Sequence, residues 1–151
     1  MQQFVPKDAL FKEKVSESFA RQAVMNTIGA SIVLIEPGLV EIEFRHDPKL
    51  TQQHGFIHAG IVTTVVDSAC GYAALSLMPE DSGVLTIEFK TNLLSPAKGE
   101  KYLAVGSVKK PGRTITVCDG EVFSFNGDKK KLVATMTCTL MTLSDREGIK
   151  G

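Results

Sequence analysis

At 151 residues the chain reads as one domain, with enough length for a full-sized core. Hydrophobic residues make up 43% and charged residues 23%, and Lys+Arg and Asp+Glu balance at 17 each, so the formal net charge is zero. That balance removes the electrostatic case for nucleic acid or an acidic membrane as partner, and a near-neutral surface favours self-association. No apolar run approaches the roughly 18 residues of a membrane span. The opening residues, MQQFVPKDALFKEKV, lack the charged-then-apolar order of a secretion signal. Cys70, Cys118 and Cys138 are odd in number and far apart. They read as buried free thiols of a reducing cytoplasm, not as a disulfide framework or a metal site.

Residues 8–27 read as an amphipathic helix, because Leu10, Phe11, Val15, Phe19, Ala23 and Val24 recur at three- and four-residue steps. Pro6 and Asp8 are start signals and Gly29 a stop signal. This helix makes a unit at 1–28, beside a main domain at 29–143 and a polar tail at 144–151 that is expected to fray. Pro37-Gly38 separates two short alternating runs, 30–36 and 39–45, and so predicts a β-hairpin.

The stretch from Gln52 to Met78, QQHGFIHAGIVTTVVDSACGYAALSLM, follows. From His58 onward a broad apolar face predicts one buried helix, ended by Pro79. Val62 to Val66 are poor helix formers, so tertiary packing must hold them. Small residues at Ala69, Gly71, Ala73 and Ala74 allow a neighbouring layer to approach closely. Four alternating runs complete the chain, at 82–94, 101–110, 114–125 and 131–143, with turns at Ser95-Pro96-Ala97, Lys110-Pro111-Gly112-Arg113 and Asn126-Gly127-Asp128. They are expected to form a four-stranded antiparallel meander. The fold class is therefore α+β: a sheet of about six antiparallel strands wrapped around one long central helix, with an additional N-terminal helix. Such a sheet leaves an edge that pairing with a second copy would cover.

Asp67 interrupts the apolar helix face. A carboxylate there is either a structural acid, bonded to Thr63, Thr64 or a neighbouring strand, or a group in use. The helix start at His58-Ala59-Gly60 offers free N–H groups and a favourable dipole for an oxyanion. His58 lies about 13 Å from Asp67 along the axis, too far for both to touch one carbon within one chain. The site is therefore expected to be shared between copies. His54 and His58 are four residues apart, but no third ligand follows with metal-site spacing. Cys70 lies within the apolar face and reads as an inert core thiol.

The order of elements, with HAGIVTTVVD at the helix start, Gln52 six residues before His58, Thr86 on the next strand and then Ser95-Pro96-Ala97, resembles the hotdog-fold acyl-CoA thioesterases. The branch it most resembles is the phenylacetyl-CoA and 4-hydroxybenzoyl-CoA type, which also includes medium- and long-chain acyl-CoA hydrolases. The resemblance spans roughly 38–143. It implies hydrolysis of acyl-CoA in a site formed across a dimer or a dimer of dimers, with no separate cofactor and no metal, since CoA is part of the substrate. Asp67 would be the general base or nucleophile, and the Ala59 N–H would meet the thioester oxygen. Gln52, His58 and Gly60 would hold that region, and Thr86 would orient the attacking water. Lys90, Lys109, Lys110 and Arg113 would meet the nucleotide part of CoA. Phe56, Ile57, Val62, Val66 and Leu85 would line the acyl tunnel. Glycine is usual in the family where Ala59 stands, but the amide donor survives the change.

Two rivals remain on the same fold. A hydratase or dehydratase of hydroxyacyl thioesters would want a histidine after the acid, and none follows Asp67. A non-catalytic acyl-CoA-binding module needs no acid in the helix and usually carries a DNA-binding segment.

Overall fold

A computed structural model describes residues 3–149 and 151. Met1, Gln2 and Lys150, which fall in the expected 1–28 and 144–151 divisions, lie outside the described residues. Two short helices stand where one was expected. Helix α1 (Phe11–Arg21) and helix α2 (Ala23–Ile28) are separated at Gln22, whose backbone is extended at φ −81° and ψ 94°. The break turns the apolar face: Met25 and Ile28 are buried, while Val24 is left exposed. Gly29 ends α2 in the left-handed region, at φ 74°, as a stop signal should.

Strands β1 (Ser31–Glu36) and β2 (Leu39–Arg45) form the expected hairpin. Helix α3 (Ala59–Leu75) follows, then β3 (Gly83–Leu93), β4 (Lys101–Lys110), β5 (Ile115–Asn126) and β6 (Lys129–Leu143). All six strands share one antiparallel sheet in the order β1-β2-β4-β5-β6-β3. The expected four-stranded meander holds only for β4 to β6. Strand β3 lies beyond β6, and β2 takes the place beside β4. The reason is the helix: α3 links β2 to β3 and packs against β2, β3, β4, β5 and β6. The two strands it joins sit on opposite sides of the meander, so the sheet closes round it from both flanks.

The close approach of helix and sheet depends on small residues. A Cβ at Gly106 would lie 2.3 Å from the carbonyl carbon of Ala69, and one at Gly120 would lie 2.6 Å from a Val66 methyl. Helix α3 is buried almost continuously from Val65 to Leu75, which supplies the packing that its β-branched residues require. Val40, Ile42 and Phe44 point inward from β2, and Phe44 stacks on Tyr102 at 4.9 Å between ring centroids.

Helix α1 is pinned to the far end of α3 by a charge. Lys14 Nζ donates to the carbonyls of Met78 and Pro79, both at 3.0 Å, and pairs with the Asp8 carboxylate at 3.2 Å. The tail expected to fray is exposed over residues 144–149 but touches the body at its end. Ile149 lies over Gly83, and the Gly151 N–H donates to the Ser82 carbonyl at 3.1 Å. Among the described residues no helix is long and apolar enough to cross a membrane.

Candidate active site

The approach to α3 is a loop held by its own backbone. The Gln52 N–H donates to Phe56 O at 2.9 Å, the Gly55 N–H to Gln52 O at 3.0 Å and the His58 N–H to Leu50 O at 2.9 Å. The Ser95-Pro96-Ala97 turn supports it from outside. The Ile57 N–H donates to Ala97 O at 3.0 Å, and the Tyr102 hydroxyl holds the same carbonyl at 3.1 Å. Two motifs that are distant in sequence are thereby fastened to one another.

His58 is the N-cap of α3. Its Nδ1 accepts the Gly60 N–H at 2.8 Å, and its carbonyl accepts from Ile61 at 2.9 Å and Val62 at 3.2 Å. The amides of Gly60, Ile61 and Val62 are thus committed. The Ala59 N–H, at the first helical position, has no partner among the described residues. The only non-glycine residue with positive φ among those described is Asp145, so alanine at this position carries no backbone strain. A groove of about 480 Å³ opens here, lined by Gln52, Phe56, Ile57, Ala59, Val62 and Leu93 among others. Gln52 Oε1 accepts the His54 N–H, and His54 itself is exposed.

Asp67 is half-buried midway along α3. Its Oδ1 accepts the Thr86 hydroxyl at 2.8 Å and lies 3.7 Å from the Cys138 sulfur. Its other oxygen has no hydrogen-bond partner among the described residues. The carboxylate borders a second cavity of about 320 Å³, walled by Thr86, Ser68, Tyr72, Gln22 and Arg21 among others. The two cavities share no lining residue. Thr86 and Asp67 are therefore together, as are Gln52, His58, Ala59 and Gly60, but a single chain does not bring the two groups to one point.

Of the expected tunnel residues, Phe56, Ile57 and Val62 line the groove. Val66 is instead sealed in the core, and Leu85 is exposed on the edge strand β3. The basic residues are dispersed. Lys90 is exposed and donates to Asn92 Oδ1 at 3.0 Å. Lys109 is paired with Asp119 at 3.2 Å. Lys110 and Arg113 are exposed in the β4–β5 turn, and Arg113 lies beside Leu77 and Met78 at the C-terminal end of α3. Nothing in the sequence pattern marks Gln22 or Cys138 as neighbours of Asp67. Gln22 arrives through the unsignalled break between α1 and α2, where the Ser68 hydroxyl donates to Gln22 Oε1 at 3.2 Å. Cys138 arrives through the inward alternation of β6.

Burial keeps Cys118 protonated, its pKa raised well above that of a free thiol. The Cys70 pKa is raised as well, first by a hydrogen bond to Cys138 and then by burial. Neither thiol is poised as a nucleophile.

The thioesterase superfamily pattern matches residues 54–131. A solved thioesterase family protein from Silicibacter pomeroyi is 54% identical, covers 89% of this chain and 98% of its own, and superposes with a TM-score of 0.88. A Saccharolobus solfataricus protein that carries the name of an esterase is 30% identical over 115 residues, 76% of each chain. A medium/long-chain acyl-CoA thioesterase of Escherichia coli is 22% identical over 143 residues, covering 84% of this chain and 90% of its own. With a six-stranded antiparallel sheet packed on one long helix and a helix acid facing a cavity, this chain belongs to the thioesterase superfamily and is a hotdog-fold thioester hydrolase.

Proposed function

We propose that this protein hydrolyses acyl-CoA thioesters to free acid and CoA, in a site built by two copies of the chain. The observation that carries the reading is the division of labour along α3. One oxygen of Asp67 is anchored by Thr86 and the other is left for chemistry, while the uncommitted Ala59 amide sits eight residues away at the helix start. A thioester needs both an attacking group and a donor where negative charge develops. About 12 Å of helix rise separates these two in one chain, so the Asp67 of one copy is matched with the Ala59 amide of another.

In this reading the thioester oxygen takes the Ala59 N–H. Asp67 draws a proton from water as it adds to the carbonyl carbon, or attacks that carbon itself. Where water adds, the proton that Asp67 has taken passes to the CoA sulfur as the carbon–sulfur bond breaks; where Asp67 attacks, CoA leaves as the thiolate and water then hydrolyses the acyl–Asp67 anhydride to the free acid and the regenerated carboxylate. Gln52 and His58 hold the donor loop, and Gly60 completes the cap. Thr86 fixes the acid and the water beside it. The acyl group lies among apolar side chains such as Phe56 and Val62. Lys90, Lys110 and Arg113 extend towards the phosphates of CoA, with Lys109 behind them on Asp119. CoA enters as part of the substrate, and no further cofactor takes part.

The test is steady-state hydrolysis of short, medium, long and aryl acyl-CoAs by the native protein and by Asp67→Ala. The variant should lose about a hundredfold or more in kcat on any thioester that the native protein cleaves, with an unchanged melting temperature. A folded Asp67→Ala protein of full activity removes the mechanism. In the same assay, alanine at Lys110 and Arg113 should raise KM for acyl-CoA and leave KM for an acyl-N-acetylcysteamine unchanged.

A further inference from the structure

The Asp67 carboxylate has a neighbour that thioester hydrolysis does not by itself require. Cys138 lies on β6, fully buried, directly opposite Cys118 on β5. Its sulfur is 3.7 Å from Asp67 Oδ1, the same oxygen that accepts the Thr86 hydroxyl at 2.8 Å. The three residues come from three elements: α3, β3 and β6. Strand β6 pairs with β3 so that Phe89 lies opposite Cys138 and Thr86 opposite Leu140. The two donors therefore reach the carboxylate from adjacent strands.

We infer that Cys138 is a positioning residue for the catalytic acid. Its thiol donates to Asp67 Oδ1, and with Thr86 it fixes one oxygen so that the other faces the cavity. This inference rests on the proposed role of Asp67. The geometry supports it in two ways. An ionised carboxylate is acceptor-only, so a thiol within bonding distance of it must be the donor. A single hydroxyl fixes one oxygen but leaves the carboxylate free to swing about that contact; a second donor from another strand restrains the swing. Catalysis is sensitive to this, because misplacing a reacting group by about 1 Å can cost about a hundredfold.

Cys70 extends the arrangement inward. A hydrogen bond with Cys138 is the largest cause of its raised pKa, followed by burial. Cys118 takes no part in this line: its sulfur lies 3.5 Å from the Cys70 backbone carbonyl. Cys118 is equally buried and so provides the control.

The experiment compares Cys138→Ala, Cys138→Ser and Cys118→Ala with the native protein. It reads kcat and KM on an acyl-CoA that the native protein cleaves, and thermal melting alongside. Cys138→Ala should lower kcat about tenfold, equivalent to about 1.4 kcal/mol, with KM within twofold. Cys138→Ser restores a donor and should recover most of that loss. Cys118→Ala should keep kcat within twofold of native. Native kcat in Cys138→Ala overturns the inference, as does a serine variant no better than the alanine one or an equal loss in Cys118→Ala.

A second measurement needs no core substitution. In the infrared spectrum, one S–H stretching band of the native protein should move to higher frequency in Asp67→Ala, as its thiol loses a carboxylate acceptor. Unmoved S–H bands overturn the inference. A native protein that cleaves no acyl-CoA, or an Asp67→Ala variant of full activity, would instead sink the proposed mechanism. The two failures are therefore distinguishable.

Discussion

At the scale of single residues, the site depends on which backbone amides are already engaged. His58 uses its ring nitrogen and its carbonyl to take the amides of Gly60, Ile61 and Val62. Among the described residues only the first helical amide there, at Ala59, is left unpaired, and in the proposed reading it takes the substrate oxygen. This gives a clean test, because proline is tolerated at the first helical position, where its missing N–H disturbs no intrahelical bond. His58 already has φ −59° and ψ 138°, the extended conformation that a following proline requires. Ala59→Pro should therefore fold normally and melt within a few degrees of the native protein. Its kcat should fall by about a hundredfold or more, the usual loss for one oxyanion donor. A folded Ala59→Pro enzyme of native kcat would show that the oxyanion is held elsewhere.

At the scale of elements, α3 is finished by other parts of the chain. Its last carbonyls are taken by Ser76 and by the turn that follows, and the carbonyls of Met78 and Pro79 in that turn by Lys14 of α1. The Lys14 ammonium and the Asp8 carboxylate are both nearly sealed from water, at 9% and 6% exposure. Asp8 is held below the ordinary carboxylate range, first by the Leu10 backbone N–H, against the opposing effect of burial, and then by Lys14. A depressed carboxylate stabilises the fold above its unfolded pKa of about 3.9. That contribution is lost as pH falls through the lower, folded value. The gap in stability between native protein and Asp8→Asn should thus be constant near neutrality and close as the medium becomes acid. Lys14→Met, which strips two carbonyls and the ion pair together, should cost about 2 kcal/mol by denaturant titration at neutral pH. A gap that widens in acid, or a Lys14→Met protein of native stability, would refute this account of the docking.

This docking, the helix break and the strand order were the parts least legible in the sequence. The hairpin, the buried helix and the strand bounds follow from local signals: Pro37-Gly38, the apolar face up to Pro79, and alternation along each strand. The strand order depends on which partner lets the sheet surround α3, and no local pattern encodes that, so β3 was expected beside β4. The break at Gln22 leaves no proline or glycine behind; tertiary packing of Met25 and Ile28 prevails over the simple apolar period. Asp67, Thr86 and the helix start were legible because each departs from its setting or belongs to an ordered motif. Cys138 was not, because a cysteine in an inward strand position looks like any other core residue.

At the scale of the whole molecule, β3 is one of the two edges of the sheet, yet it is apolar. Leu85, Ile87, Phe89 and Leu93 are 46%, 53%, 47% and 57% exposed. An uncovered apolar edge invites a strand from another chain, and pairing with β3 of a second copy would be self-complementary. The same strand carries Thr86 beside Asp67 and Leu93 beside the helix-start groove, so whatever covers β3 lies between the two half-sites. If the copies exchange parts in this way, defects in different half-sites should complement one another. Asp67→Ala and Ala59→Pro should each be nearly inactive alone. After subunit exchange at equal concentrations, half of the dimers are mixed, and each mixed dimer has one site with neither defect and one with both. Activity should therefore rise to about a quarter of the native level. Light scattering should report a dimer or a dimer of dimers throughout, and Ile87→Lys with Phe89→Lys should yield an inactive monomer. A mixture that has exchanged subunits and stays inactive would place both groups within one chain, and an active monomer would do the same by a separate route.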